Sequence, residues 1–178
     1  MSWLERRRPR PALLRVLAVA CLIGLAGCQV RPLYSTLGTE AGPQAALPAI
    51  SVEAPLTREE QVYRNELLFG LRGGGAGDPP RYNLIYRLTI REQAILIERG
   101  SGTPNSYQLT GGVSFLVKDA ATGTSLFGSS VASINSYSRS SQNFANIRAR
   151  RDAEDRLAKA LADLTRTRLA AYFATNQP

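Results

Sequence analysis

Tyr82-Asn83-Leu84-Ile85-Tyr86-Arg87-Leu88-Thr89-Ile90-Arg91 decides the fold of this 178-residue chain. Tyr82, Leu84, Tyr86, Leu88 and Ile90 alternate with Asn83, Arg87, Thr89 and Arg91, and only Ile85 breaks the polar set. A period of two is that of a strand with one face on a core and the other left open. Past Gln93 the apolar phase moves to Ile95 and Ile97, which predicts a bulge or bend. Gly100-Ser101-Gly102-Thr103-Pro104-Asn105 reads as a turn, after which Tyr107, Leu109, Val113, Phe115 and Val117 form a second alternating set. Asp119 to Thr124, with Gly123 able to take positive φ, predicts another turn into a third strand, Leu126 to Tyr137. Ser129, Ser130, Ser133 and Ser136 thin the apolar content of that strand and suit a sheet edge. Three strands joined by short turns make an antiparallel meander.

Upstream, Ala49-Ile50-Ser51-Val52-Glu53 suits a short first strand, and Thr57-Arg58-Glu59-Glu60 is a capping box that opens a helix to about Arg72. On that helix Tyr63, Leu67, Gly70 and Leu71 share one stripe, while Val62 and Phe69 fall on the opposite side with Asn65 and Arg72. The run Gly73-Gly74-Gly75-Ala76-Gly77-Asp78-Pro79-Pro80 ends it. Downstream, Asn143 to Ala174 is helical in period, with Ala153, Leu157, Ala160, Leu161, Leu164 and Tyr172 placed on one stripe. Strand, helix, three strands, helix predicts an α+β two-layer sandwich: a mainly antiparallel four-stranded sheet covered on one face by two helices.

The first 28 residues alter the meaning of the rest. Arg6, Arg7, Arg8, Arg10 and Arg15 precede eleven apolar or small residues, Val16 to Ala26, and then Gly27 and Cys28. Basic n-region and short h-region describe a secretory signal, because eleven residues cannot span a bilayer that needs about 20. Leu25-Ala26-Gly27-Cys28 resembles a bacterial lipobox, whose cysteine thiol is acylated. The expected organisation is a signal peptide over 1–27, a Pro- and Gly-bearing lipidated tether over 28–48, and an α+β domain over 49–178. Removing residues 1–27 takes five arginines and one glutamate from totals of 22 basic and 14 acidic groups, which halves the net charge from +8 to +4. Nucleic acid is therefore not an expected partner. Cys21 leaves with the signal and Cys28 carries the anchor, so no thiol remains for a disulfide or redox chemistry.

Catalytic chemistry has no foothold in this composition. There is no histidine, and there is no G-x-S-x-G, S-x-x-K, C-x-x-C, Walker A or EF-hand pattern. The glycine run at 73–77 follows a helix instead of opening one, so the carbonyl end of the dipole would face an anion. Glu59-Glu60 and Asp152, Glu154, Asp155 lie near helix starts, where negative charge is favoured for its own sake. The expectation is a non-enzymatic protein with no cofactor and no metal.

Taken together, the leader, Leu25-Ala26-Gly27-Cys28, Arg31-Pro32-Leu33-Tyr34 shortly after it, the order of elements, and Phe144-Ala145 leading into Arg151-Asp152-Ala153-Glu154 resemble the LPS-assembly lipoprotein family LptE over nearly the whole mature chain. Gln29, where an aspartate would resemble an inner-membrane retention signal, implies sorting to the outer membrane. The resemblance implies a lipid-anchored protein on the periplasmic side of that membrane, sitting as a plug in an LptD-like β-barrel and helping to insert lipopolysaccharide into the outer leaflet. An auxiliary lipoprotein of another envelope lipid-transport complex stays open as the alternative. Within this reading Val62 and Phe69 are candidates for contact with the barrel. Arg87 and Arg91 stand four apart on the polar side of their strand, about 13 Å at 3.3 Å per residue, and are candidates for lipopolysaccharide phosphates, with Ile85 and Thr89 toward its apolar part.

Overall fold

The computed structural model describes residues 46–97 and 104–176. The readings on Cys28, the signal, most of the tether and the tip of the first hairpin lie outside the described residues. After a 3-10 turn at Leu47–Ala49, the elements are β1 (Ile50–Val52), α1 (Arg58–Arg72), β2 (Tyr82–Ile97), β3 (Pro104–Asp119), β4 (Ser125–Ser138) and α2 (Asn143–Thr175). They form one four-stranded sheet in the order β1-β2-β3-β4. The sheet is mixed. The two long hairpins are antiparallel, and β1 joins β2 in parallel, as a strand must when a helix returns the chain to the same end.

Local chemistry sets the element ends. The Thr57 hydroxyl accepts from the Glu60 amide at 3.2 Å, and the Glu60 carboxylate accepts from the Leu56 amide at 2.7 Å, so two otherwise orphaned donors are satisfied at the start of α1. Gly73, at φ 60°, ends the helix in the left-handed conformation. At the β3–β4 turn the Asp119 carboxylate accepts from the amides of Ala121 (2.9 Å) and Thr122 (2.8 Å) and from the Thr122 hydroxyl (3.0 Å). Those bonds, the Thr122 amide foremost, hold the Asp119 carboxyl below its ordinary pKa. Gly123 takes φ 72° in the same turn. The expected irregularity past Gln93 is present as register shifts around Leu96.

Both helices lie on one face. Leu84, Leu109, Val113, Phe115 and Val117 from the sheet, Tyr63, Leu67 and Leu71 from α1, and Leu157, Leu161 and Leu169 from α2 are all buried there. Gly111 is what lets α2 approach: a methyl at its Cβ would stand 2.9 Å from Leu161 Cδ1 and 3.0 Å from Leu157 Cδ2. The two helices are tied by a buried hydrogen bond from the Tyr63 hydroxyl to Thr165 Oγ1, 3.1 Å, while Thr165 itself donates to the Leu161 carbonyl at 2.8 Å.

One part of the expected stripe on α2 is wrong. Leu164 is exposed, Ala160 and Tyr172 are only partly covered, and the buried line runs through Ala153, Leu157, Leu161, Thr165, Leu169 and Phe173. Steps of four advance 400°, so the line gains about 40° per step over a 3.6-residue turn and winds around the helix. A fixed stripe cannot follow it. Tyr172 lies instead flat against Phe127, with ring centroids 4.5 Å apart.

Candidate functional site

Among the described residues no element covers the other sheet face, and the candidate site lies on it. On β2 the outward side chains are the odd positions Asn83 to Gln93. Register places Arg87 beside Ser114 and, one strand on, Ser130, while Arg91 lies beside Thr110 and Ile134. Arg87 and Arg91 are both exposed, as the alternation predicts. Ile85 pairs with Leu116, so an apolar step adjoins Arg87, and Ile134, 63% exposed, forms another near Arg91. Between the arginines Thr89 donates to the Gly112 carbonyl at 3.4 Å. Among the described residues of β2, β3 and β4 this face carries three cations, Arg87, Arg91 and Lys118, and no carboxylate. Guanidinium groups beside short apolar and hydroxyl rows can take phosphate oxygens and adjoining hydrocarbon at once.

Val62 and Phe69 are not part of that face. They lie on α1, turned from Tyr63, Leu67 and Leu71; Phe69 is 65% exposed and Val62 half-buried. Part of the Phe69 ring is laid over Gly74, where an added Cβ would meet it at 3.2 Å. The structure thus separates the two residue pairs picked from sequence, one on the open sheet face and one on the far helix.

Two further features had little signal in the sequence. At the start of α2, ahead of the first buried position Ala153, Phe144 and Ile147 are exposed beside Arg58, Arg148 and Arg151 around a cleft of about 630 Å³. Arg58 is held there by Asp155 at 2.7 Å. On the helix-covered side, Glu92 is caged by the Tyr137 hydroxyl at 2.7 Å, Arg150 at 3.2 Å and Arg139 at 3.5 Å. Burial, reinforced by the bond to Glu92, raises the Tyr137 phenol above its ordinary pKa. Tyr86, packed on Tyr63 with centroids 5.0 Å apart, has its phenol pushed up to about 12, chiefly by burial, and its hydroxyl has no hydrogen-bond partner. No group of three or more metal-ligating side chains occurs among the described residues, and no described helix is long and apolar enough to cross a membrane.

The α+β fold is shared by several solved lipoproteins. A protein described as a lipoprotein, from Caulobacter crescentus, is similar with a TM-score of 0.63 and 26% identity, covering 78% of this chain and all of that one. A minor lipoprotein of Acinetobacter baumannii (TM-score 0.55, 18% identity, 68% of this chain and 90% of that) and the rare lipoprotein B of Shewanella oneidensis (0.51, 15%, 69% and 92%) share the fold. Sequence comparison with curated proteins gives no match. The family model described as LptE, lipopolysaccharide-assembly, matches residues 46–169, from the start of the described residues to late α2. The chain belongs to that family, a family of lipopolysaccharide-assembly lipoproteins and not of enzymes.

Proposed function

We propose that this protein is an outer-membrane lipoprotein, acylated at Cys28, that occupies and supports an LptD-like β-barrel and takes part in moving lipopolysaccharide to the outer leaflet. The family match over residues 46–169 carries the reading. Supporting it are the leader ending in Leu25-Ala26-Gly27-Cys28 and a sheet face whose cations suit phosphate. At about 0.8 kcal/mol per buried methylene, two or three acyl chains hold such a protein at the membrane essentially permanently. A compact body whose open face is rich in hydroxyls fits the polar lumen of a barrel. Arg87 and Arg91 take the lipopolysaccharide phosphates, and Val62 and Phe69 touch the barrel.

Three measurements test this. Mass analysis of the membrane-extracted protein finds an N-terminus at Cys28 bearing acyl mass, and Cys28→Ala leaves an unacylated precursor. Extraction in mild detergent brings down one large β-barrel with the lipoprotein; recovery of other envelope lipid-transport proteins in its place refutes the assignment. Arg87→Ala with Arg91→Ala reduces lipopolysaccharide binding by the purified lipoprotein in a salt-dependent manner. Equal binding at low salt in the double variant removes the arginines from the site.

A further inference from the structure

Among the described residues, β1 alone covers the edge of β2, and for only a short part of its length. β1 pairs with Tyr82, Asn83 and Leu84, the Glu53 amide donates to the Leu84 carbonyl at 3.0 Å, and there β1 ends. On the other side, the Ala120 amide donates to the Arg81 carbonyl at 2.9 Å, so odd positions of β2 bond toward β3. Backbone direction alternates along a strand, so Tyr86, Leu88, Ile90 and Glu92 turn their N–H and C=O groups outward, past the end of β1. No described residue bonds to them there. Seven residues of open edge, about 23 Å at 3.3 Å per residue, are a ready template for another strand.

Its surroundings give that slot a charge pattern. The side chains of Leu88, Ile90 and Glu92, which belong to the open edge, also line a groove of about 320 Å³ on the helix-covered side, walled by Glu59, Glu60 and Glu154 with Arg150 as the one cation in the lining. Beside Tyr86, Glu60 and Glu53 raise its phenol further while Arg64 opposes them. On the opposite face of the same strand stand Arg87 and Arg91. A strand laid on this edge has its own side chains alternating between an acidic wall and a pair of arginines.

We propose that the β2 edge from Tyr86 to Glu92 receives an extended segment of the protein partner by strand addition, with lysine or arginine toward the helix side and aspartate or glutamate toward Arg87 and Arg91. Main-chain bonds supply the attachment and the alternating charge supplies register and choice of partner. The part of this that names the barrel as partner rests on the reading of the previous subsection; the edge and its charge pattern do not.

The test has a peptide arm and a complex arm. The seven-residue probe Lys-Glu-Lys-Thr-Lys-Glu-Lys, added to the full lipoprotein in detergent, slows hydrogen exchange of the Tyr86, Leu88, Ile90 and Glu92 amides at least tenfold, saturably. The Arg87 and Thr89 amides, bonded to β3, are slow throughout. A peptide alternating only glutamate and threonine protects at least tenfold less. Ile90→Pro removes one outward N–H and no β3 bond, and it abolishes the protection; proline is tolerated on such an edge. Should that variant lose the slow Arg87 and Thr89 amides, Glu59→Lys serves instead, keeping the fold and weakening the lysine peptide at least tenfold. In the complex with the barrel the same four amides gain the same protection. No saturable protection by the lysine peptide at millimolar concentration overturns the proposal, as does a barrel complex in which those amides still exchange freely. Failure to form any barrel complex refutes the barrel reading instead, while the peptide arm still decides the edge.

Discussion

Replacing Tyr63 and Thr165 together should destabilise the protein by less than the sum of the two single replacements. Both side chains are fully buried, the phenol donates to Thr165 Oγ1 at 3.1 Å, and Thr165 donates onward to the Leu161 carbonyl at 2.8 Å. Tyr63→Phe removes one bond and leaves the threonine hydroxyl still donating, which costs about 1 kcal/mol. Thr165→Val keeps the shape of the side chain but strands the phenol in an apolar layer, at about 1–3 kcal/mol. With both changes no polar group is stranded, so the double variant should be no less stable than Thr165→Val alone, a coupling of about 1–2 kcal/mol. At roughly 2–8 °C per kcal/mol, the differences are readable in thermal melts followed by circular dichroism, with urea midpoints as the second measure. A pH series adds an independent check. Burial raises the Tyr63 phenol above its ordinary value of 10, so its contribution is fully present below pH 10 and is lost as pH rises beyond it. Tyr63→Phe should therefore lose less stability than wild type between neutral pH and pH 11. Additive losses in the cycle would refute the claim that this bond clamps α1 to α2.

Gly111→Ala should cost about 1–3 kcal/mol, because the new methyl meets Leu157 and Leu161 at 3.0 and 2.9 Å; an unchanged melting temperature would mean that α2 does not rest on Gly111. Asp119→Ala should lower the melting temperature near neutral pH. Since the folded carboxyl titrates below its usual 3.8, the contribution is present above that pH and is lost as pH falls through the lower folded value, so wild type and variant should converge in strong acid. Val62→Ser with Phe69→Ser should weaken recovery of the barrel while far-ultraviolet circular dichroism stays unchanged, and undiminished recovery would free that helix face of any role.

Where a residue's environment was set by its sequence neighbours, the fold was legible. The Thr57–Glu60 capping box, the Gly123 turn and the alternation from Tyr82 to Ile90 each act within a few residues, and all three are in place. Thr165 was not legible as core, since a hydroxyl reads as surface until Tyr63, 102 positions away, supplies its partner. Leu164 failed in the opposite sense, because the winding of the buried line depends on how α2 lies across the sheet and α1. The outward direction of Arg87 and Arg91 was readable from period two alone. The absence of carboxylates beside them was not, because it depends on the register of β2, β3 and β4. The β2 edge left unpaired among the described residues was equally hidden: β1 stops at Val52, and nothing in Ala49 to Glu53 states how much of β2 the strand will cover.

The most direct test of the central claim is to deplete this protein in its own cell and follow newly made lipopolysaccharide by surface labelling. The account predicts that surface lipopolysaccharide stops increasing while the molecule accumulates inside the envelope, and that the chain restores export but Cys28→Ala does not. Continued export at the normal rate after depletion would contradict it.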